Sequence, residues 1–456
     1  MADTIAAIAT GAVPSAIGII RLSGDDTISI VEAVFEPFSN IKVSDFENRK
    51  LYYGKLFSKS GEVIDMCLCT VSRGPNSYTG EDTAEIQCHG SPVVLTEGLR
   101  ALFDKGARQA QAGEFTKRAF LNGRMDLIQA EAVVDLIDAE TEAAAKNAAG
   151  QLGGAVGRKT DAIYDSLVDM ASHFHAVIDY PDEDIDDFQT ESYESLLADA
   201  EESLRKLLST YDRGRIVKEG VLTAIIGRPN VGKSSLLNAL LGYDRAIVTD
   251  IPGTTRDTIE EKLRLGGVLL RLTDTAGIRE TDDAVEKIGV SRSYAAAKAA
   301  SLVIAVIDGS NELTDEDIKI TETAAQCERN IIVISKSDLD TVVNEEKLRA
   351  YSDNVCVISS KTGEGVSLLE ETVQKMFSDA RPEVWGEMLT NERHAQSVEA
   401  ALSAIQSARS ALYGGMTPDA VLTDTEYAMS ALGEMSGKIM REDVTNRIFD
   451  RFCVGK

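Results

Sequence analysis

The spacing of apolar positions changes character along the chain and divides it into four stretches. Residues 1–118 carry short runs in which apolar residues recur at every second position, at 16–22, 50–57, 63–71 and 83–88, with turn residues between them. Side chains of a strand point alternately to opposite faces, so this period predicts strands with one buried face. A helix opened by Ser91-Pro92 follows, and together these elements predict an α+β domain. From 119 to 215 the spacing shifts to three and four, as in the Ala- and Glu-rich stretch 125–149, which predicts helices. Between 220 and 379, apolar runs at 221–226, 269–273, 302–307, 331–335 and 355–359 alternate with helical stretches, the pattern of a doubly wound α/β domain. Residues 380–456 return to helix. The predicted organisation is a multidomain one. An N-terminal α+β domain (1–118) is followed by a helical bundle built from two parts (119–215 and 380–456). The doubly wound α/β domain (220–379) is inserted between those parts and is able to move as a unit.

Length and composition fit this division. A chain of 456 residues holds about three domains of ~150 residues, and 43% hydrophobic content lets each bury a core. No run approaches the ~18 apolar residues of a membrane span. The N-terminus has Asp3 and no basic-then-apolar segment, so no signal peptide is expected. Six cysteines (67, 69, 88, 327, 356, 453) include no C-x-x-C pair, which points to a reduced, cytoplasmic setting. His173 and His175 would point apart on a helix and do not suggest a shared metal. Net charge is −27, from 74 acidic and 47 basic residues. Phosphates are repelled by such a surface, so any nucleic-acid role must rest on a local patch or on a partner. The acidic run 182–187 reads as a solvated loop.

The chemistry concentrates in Gly227-Arg-Pro-Asn-Val-Gly-Lys-Ser234, a Gly-x4-Gly-Lys-Ser loop set between an apolar run and a helical run. Backbone N–H groups of such a loop turn inward on nucleotide phosphates. Gly227 and Gly232 permit the dihedrals, Lys233 brings a point charge to the outer phosphates, and the Ser234 hydroxyl can ligate magnesium. Asn230, Val231 and Ser235 complete the predicted phosphate-binding set. The other parts of a GTP site follow in order. Gly253-Thr-Thr-Arg-Asp257 offers Thr255 to magnesium, and Thr249 lies just before it. Asp274-Thr275-Ala276-Gly277 follows a strand, with Asp274 near the magnesium shell and the Gly277 N–H toward the terminal phosphate. Ser335-Lys336-Ser-Asp338 follows another strand, where Asp338 can accept both guanine N–H groups. Ser359-Ser360-Lys361 brings a backbone N–H toward the guanine carbonyl.

Two departures from the common pattern carry information. Ser335 stands where an asparagine amide usually ties the phosphate loop to the base loop, so somewhat weaker guanine affinity is expected. Ile278 stands where Ras-like enzymes place the glutamine that orients water. Either hydrolysis is negligible or another residue and another charge supply the catalysis.

Further segments extend the pattern over nearly the whole chain: Asp3-Thr-Ile5 with Ala16-Ile-Gly-Ile-Ile-Arg-Leu-Ser-Gly24, Pro75-Asn-Ser-Tyr-Thr-Gly-Glu-Asp82, Gly113-Glu-Phe-Thr-Lys-Arg-Ala-Phe-Leu-Asn-Gly123, Tyr180-Pro-Asp-Glu183 and the terminal Phe452-Cys-Val-Gly-Lys456. With the GTP motifs, they resemble the tRNA modification GTPase family called MnmE or TrmE. The resemblance implies a homodimeric enzyme that works with an FAD- and NADH-dependent partner, MnmG (GidA), on tRNA. The pair adds a carboxymethylaminomethyl or aminomethyl group at carbon 5 of the wobble uridine. The one-carbon unit comes from a tetrahydrofolate derivative, 5-formyl- or methylene-tetrahydrofolate, in an N-terminal folate-binding domain. By position the folate contacts fall on Arg21, Glu85, Arg124 and Lys456, with Arg124 replacing a lysine seen in some members. On their own, Arg21 and Glu85 read equally as surface strand residues.

The resemblance also answers the question posed by Ile278. It implies a potassium ion held by Asn230 with Thr249, Ile251 and Thr254, placed where an arginine finger's charge usually acts. Glu286 becomes the catalytic carboxylate; by its residues alone it reads as a helix N-terminal glutamate favoured by the dipole. Cys453 becomes a participant in the modification, although a cysteine near a helix end is also a good small hydrophobe. A regulatory GTP switch of the ribosome-assembly type is the alternative, and the N-terminal domain and the Cys-Val-Gly-Lys tail speak against it. A folate-dependent methyltransferase with a vestigial GTP site is disfavoured by intact Lys233, Ser234, Asp274 and Asp338.

Overall fold

The computed structural model describes residues 3–11, 13–179, 190–243, 261–273, 295–378, 384–439, 448–449 and 452–455. They fall into two compact units, one of residues 1–134, 152–188 and 410–456, the other of residues 135–151 and 189–409.

The first unit is built on a seven-stranded sheet. Its strands are β1 (Ile5–Ile8), β2 (Ser15–Ser23), β3 (Phe35–Pro37), β4 (Tyr52–Phe57), β5 (Val63–Ser72), β6 (Thr83–Gly90) and β7 (Arg108–Gln109), in the order β3-β4-β5-β6-β2-β1-β7. All neighbours are antiparallel except β1 and β7. The four runs of period two correspond to β2, β4, β5 and β6. Their alternation sends Ile20, Leu22, Leu56, Cys67, Cys69, Ile86 and Cys88 into one core, joined by Leu95, Leu99 and Leu102 of the helix α2 (Pro92–Asp104). Those leucines recur at spacings of three and four, as a helix facing a sheet requires. A short helix, α1 (Thr27–Glu32), adds Ile30 and Val31 to the same core. Strands β1, β3 and β7 span four, three and two residues, too short for a period to register in sequence. Helices α3 (Glu114–Leu121) and α4 (Leu127–Ile137) follow, and then α5 (Glu142–Leu152), which up to residue 151 belongs to the second unit. The predicted helical stretch 125–149 is thus two helices, broken at 138–141. Back in the first unit, α6 (Ala155–Asp179) buries Leu167, Met170 and Phe174.

The second unit contains a six-stranded sheet in the order β13-β12-β11-β8-β10-β9. Helices α7 (Thr190–Leu208) and α8 (Tyr211–Glu219) lead into β8 (Val221–Ile226), and α9 (Lys233–Tyr243) follows the phosphate loop. Next come β9 (Glu261–Leu265), β10 (Val268–Leu272), β11 (Leu302–Asp308), α10 (Asp315–Ala325), β12 (Asn330–Ser335), α11 (Glu345–Arg349), β13 (Val355–Val357), α12 (Val366–Met376) and α13 (Glu392–Tyr413). The last helix, α14 (Pro418–Ser436), belongs to the first unit. The sheet is parallel except for the β9–β10 hairpin, which turns through Gly266 and Gly267 at φ of 61° and 77°. β9 was not among the predicted strands. Its Glu-Lys-Leu-Arg-Leu is half polar because it lies at the sheet edge, where one side needs no burial. Central β11, by contrast, is buried at every position. This is the Ras-like α/β fold. Chain direction across the sheet reverses beside β8, so the loops after β8, β11 and β12 meet at the carboxyl edge, where α/β sheets bind ligands.

The segment leaving this α/β region is clamped by backbone and side-chain hydrogen bonds. The Gly386 N–H donates to Asn147 Oδ1 (3.0 Å), Gln151 Nε2 donates to the Met388 carbonyl (2.6 Å), and the Leu389 N–H donates to Thr210 Oγ1 (3.0 Å). Gly214 in α8 completes the clamp, because a Cβ there would sit 2.0 Å from the Leu389 carbonyl oxygen. Backbone on both sides leaves nothing flexible to give way. Gly214→Ala is therefore expected to cost about 2–3 kcal/mol, read as a lowered unfolding midpoint in denaturant. An unchanged midpoint would show that α8 and residue 389 do not meet so closely.

Candidate functional site

The phosphate loop leaves β8 at Ile226 and enters α9 at Lys233. Its path depends on two positive φ angles, 62° at Asn230 and 102° at Gly232. Asparagine is among the few side chains that tolerate the left-handed region, and glycine pays no steric cost there. Gly227 passes so close to β11 that a Cβ would lie 2.6 Å from the Val306 carbonyl. Lys233 Nζ donates to the Gly227 and Arg228 carbonyls, each at 2.7 Å. Burial draws this ammonium below the ordinary lysine pKa. Ser234 and Ser235 stand exposed at the first turn of α9, where N–H groups and the helix dipole favour an anion.

The guanine side is joined to this loop by Ser335, which is 2% exposed. Its Oγ donates to the Val231 carbonyl at 2.5 Å and also lies 3.0 Å from the Ile307 carbonyl. The hydroxyl thus makes the tie between base loop and phosphate loop that an asparagine amide makes elsewhere. Asp338 is exposed at the edge, and its Oδ1 accepts from Ser359 Oγ at 2.8 Å. Ser359 Oγ in turn accepts from the Lys361 N–H (3.3 Å) and the Thr362 N–H (3.2 Å). The structure therefore brings residues 230–235, 335–338 and 359–361 into one connected edge, with Ser360 and Lys361 on the same loop as Ser359. Thr249, Ile251, Thr254, Thr255, Asp274, Thr275, Ala276, Gly277, Ile278 and Glu286 lie outside the described residues, as does Lys456.

A second polar site lies in the first unit. Arg21 and Glu85 are cross-strand partners on β2 and β6. The guanidinium meets Glu85 Oε1 at 2.9 Å through Nε and at 2.8 Å through a terminal nitrogen. The Arg21 guanidinium carbon also lies 5.8 Å from the Tyr78 ring centre and 5.9 Å from that of Phe115. Tyr78 is fixed by a 2.9 Å hydrogen bond between its hydroxyl and Thr116 Oγ1. Arg124 is exposed, with its stem close to Gly80, where a Cβ would meet the arginine Cγ at 3.4 Å. Cys453 is exposed. Its carbonyl accepts the Gly113 N–H at 3.4 Å, and Val454 bridges Ala112. A Cβ on Gly455 would lie 2.5 Å from the Ile8 carbonyl, so the tail is packed against the end of β1.

Beneath this site runs a network of ion pairs that sequence reasoning did not single out. Arg118 pairs with Asp3 (2.9 Å), Glu81 (3.0 Å) and Glu114 (3.0 Å). Arg108 pairs with Glu114 and Asp3. Glu81 also accepts from Ser23 Oγ at 2.7 Å, and Asn122 Nδ2 donates to the Thr79 carbonyl at 2.7 Å. Hydrogen bonding to Arg108, above all, holds the Asp3 carboxyl below its usual range. For Glu114 burial opposes ionisation, yet bonds to Arg108, the Gln111 N–H and Arg118 outweigh it and lower the pKa. Except for Arg108, each of these charges lies in a quoted motif segment, and the network is what makes those segments interdependent.

Comparison with known proteins covers both regions. The model of the GTP-binding protein TrmE N-terminus matches residues 4–124, and that of the MnmE helical domain matches residues 127–453. The tRNA modification GTPase MnmE of Thermoanaerobacter pseudethanolicus is 43% identical over 459 residues, covering 100% of this chain and 99% of that protein. The enzyme of the same name from Clostridioides difficile is 41% identical over 457 residues, with the same coverage. The chain belongs to the MnmE family of tRNA modification GTPases. Among solved structures, the G domain of the T. maritima FeoB iron transporter matches at 28% identity and a TM-score of 0.25, covering 34% of this chain and 97% of that one.

Three further charged residues lie in or beside the phosphate and guanine loops. Arg228 and Asp317 form one pair, and Asp308 is the third. The signal for Asp317 was present in sequence, since Thr314-x-x-Asp317 is a capping-box pattern. Asp308 ends β11, accepts from the Ser310 N–H and Oγ, and pairs with Lys336 Nζ at 2.7 Å. Burial works against its ionisation, but Lys336 and Ser310 prevail and bring the pKa from 3.8 to about 2. A carboxyl whose pKa is lower when folded stabilises the protein above its unfolded pKa and loses that contribution as pH falls through the folded value. Asp308→Asn is expected to cost about 2 kcal/mol near neutral pH. The difference from the parent should shrink between pH 4 and 2, followed by denaturant unfolding at each pH. A pH-independent difference would mean that the Lys336 pair is not its source.

Proposed function

We propose that this GTPase is stimulated by potassium and acts as a cytoplasmic homodimer with an FAD- and NADH-dependent MnmG (GidA) partner. Together they add a carboxymethylaminomethyl or aminomethyl group at carbon 5 of the tRNA wobble uridine. The observation that carries the proposal is the presence in one chain of two separate polar sites. One is the phosphate loop tied to the guanine loop by Ser335; the other is the Arg21–Glu85 pair in the unit that also packs the Cys453 tail. A regulatory switch requires only the first.

In this reading residues 1–118 bind folate and dimerise, residues 220–379 form the GTPase domain, and 119–215 with 380–456 form the helical domain. A tetrahydrofolate derivative, 5-formyl or methylene, would supply the one-carbon unit. Glu85 suits it, because a pterin presents an amino group and a ring N–H to one carboxylate. Arg21, bonded to Glu85, would orient that carboxylate against the pterin, while Arg124 and Lys456 suit the carboxylates of the glutamate tail. Cys453 takes part in the modification chemistry.

At the GTP site Ser234 and Thr255 hold magnesium, with Asp274 behind it, and Asp338 selects guanine. Potassium is assigned to Asn230 with Thr249, Ile251 and Thr254, where its charge offsets the negative charge developing on the phosphates. Glu286 positions the attacking water in place of the glutamine absent at Ile278.

Turnover in matched potassium and sodium chloride tests the ion. Potassium is expected to accelerate hydrolysis by at least about tenfold over sodium, a gap of some 1.4 kcal/mol in barrier, and Asn230→Ala is expected to remove the difference. Equal rates in the two salts would reject a potassium site.

The second site is tested by Cys453→Ser in a deletion strain. GTP turnover should stay close to normal while the modified nucleoside, scored by mass spectrometry, disappears. A hydroxyl of similar size is a far poorer nucleophile at neutral pH. Normal modification by the serine variant would leave Cys453 with a packing role only.

A further inference from the structure

Asp317 lies outside every GTP-binding motif, yet it is 1% exposed and reaches the phosphate loop. Its two oxygens do different work. Oδ2 accepts from the Thr314 N–H (3.0 Å) and Oγ1 (2.8 Å), closing the capping box at the start of α10. Oδ1 accepts from Arg228 Nε at 2.6 Å. A capping box needs one acceptor oxygen at this position, so the bond to Arg228 is not explained by the helix end.

We propose that Asp317 is a positioning residue for GTP binding, holding the phosphate loop in place through the Arg228 side chain. The loop is short, and its function requires several backbone N–H groups to converge on phosphate oxygens. Arg228 stands at its second position. The Arg228 carbonyl accepts one of the Lys233 Nζ bonds (2.7 Å), and two residues later Asn230 adopts its φ of 62°. A displacement of Arg228 therefore moves both the seat of Lys233 and the left-handed turn. The loop is pinned from one side by Ser335 Oγ on the Val231 carbonyl (2.5 Å) and from the other by Asp317 on Arg228. The second pin is charge-assisted, and its carboxylate is buried, so water replaces it poorly. Asp317 touches no phosphate itself. It acts through Arg228.

The two oxygens allow the roles to be separated in the full-length protein. Asp317→Asn keeps an acceptor for the Thr314 N–H but turns an amide N–H₂ toward the Arg228 donor. Thr314→Ala removes the capping hydroxyl and leaves the Arg228 pair alone. The loop holds ground-state and transition-state phosphates alike, so its loosening should raise KM more than it lowers kcat. Asp317→Asn is expected to weaken binding of a fluorescent GDP or GTP analogue, and to raise KM for GTP, by about tenfold, a shift of ~1.4 kcal/mol. Arg228→Ala should show the same rise, and the double variant should bind no more weakly than either single one, since each removes the same pair. Thr314→Ala should lower the unfolding midpoint and leave KM unchanged. Unchanged affinity in Arg228→Ala overturns the proposal, and this variant carries the test if Asp317→Asn does not fold. So does a double variant whose losses add, or a KM that rises in Thr314→Ala in step with lost stability.

Discussion

Nucleotide binding in this chain rests on one backbone constraint, that the loop from β8 to α9 must turn its N–H groups inward. That shape is unfavourable for most sequences, because it needs left-handed backbone at Asn230 and a φ of 102° at Gly232. Neighbours must hold it, and the sheet order supplies them. β8 lies between β10 and β11, so the loop sits against the carboxyl ends of β11 and β12. From the end of β12 comes Ser335, from the first turn of α10 comes Asp317, and each fixes the loop by a hydrogen bond to a different residue. The guanine loop is attached to the same post, as Ser335 begins it and Ser359 fastens Asp338. Recognition of base and of phosphates is thus mechanically one system.

The first unit solves a different problem by a different means. Its sheet buries one face under α1 and α2 with aliphatic side chains and thiols, and nothing there is chemically unusual. The polar site of this unit is the Arg21–Glu85 row, and the support beneath it is polar as well. Arg118, 9% exposed, gathers three carboxylates from the N-terminus, the 75–82 segment and α3. Burying a guanidinium costs several kcal/mol unless it is matched, and here the match comes from distant parts of the chain. Loss of Arg118 would leave three carboxylates close together with only Arg108 to offset them, which is how a polar network enforces a single arrangement of loops. The C-terminal tail joins this arrangement through Gly113, whose φ of 65° and closeness to Phe449 and Phe452 exclude a side chain.

A net charge of −27 sets the terms on which tRNA can be approached. With repulsion from most of the surface, recognition of tRNA needs help from a basic partner or a confined patch. The partnership proposed above would meet that requirement.

Much of this was legible in sequence, because the constraints involved are local. Period-two runs marked the four long strands of the first sheet, continuous apolar runs marked the parallel strands, and Gly227–Ser234 stated its backbone geometry through its glycines. Short edge elements were not legible. β7 has two residues, and β9 carries polar side chains that an edge permits. Sequence also cast Ser335 as a weaker substitute for asparagine, judging it by its shorter list of donors. Only the tertiary structure showed that its single hydroxyl makes the tie to the phosphate loop, because β12 brings it within 2.5 Å of the Val231 carbonyl. The same holds for Asp317 and Arg228, 89 residues apart, and for Asp3 and Arg118, 115 apart. Periodicity and motif spacing report what a residue asks of its near neighbours. Which distant charge answers it is decided by the strand order and the packing, and those exist only once the chain has folded.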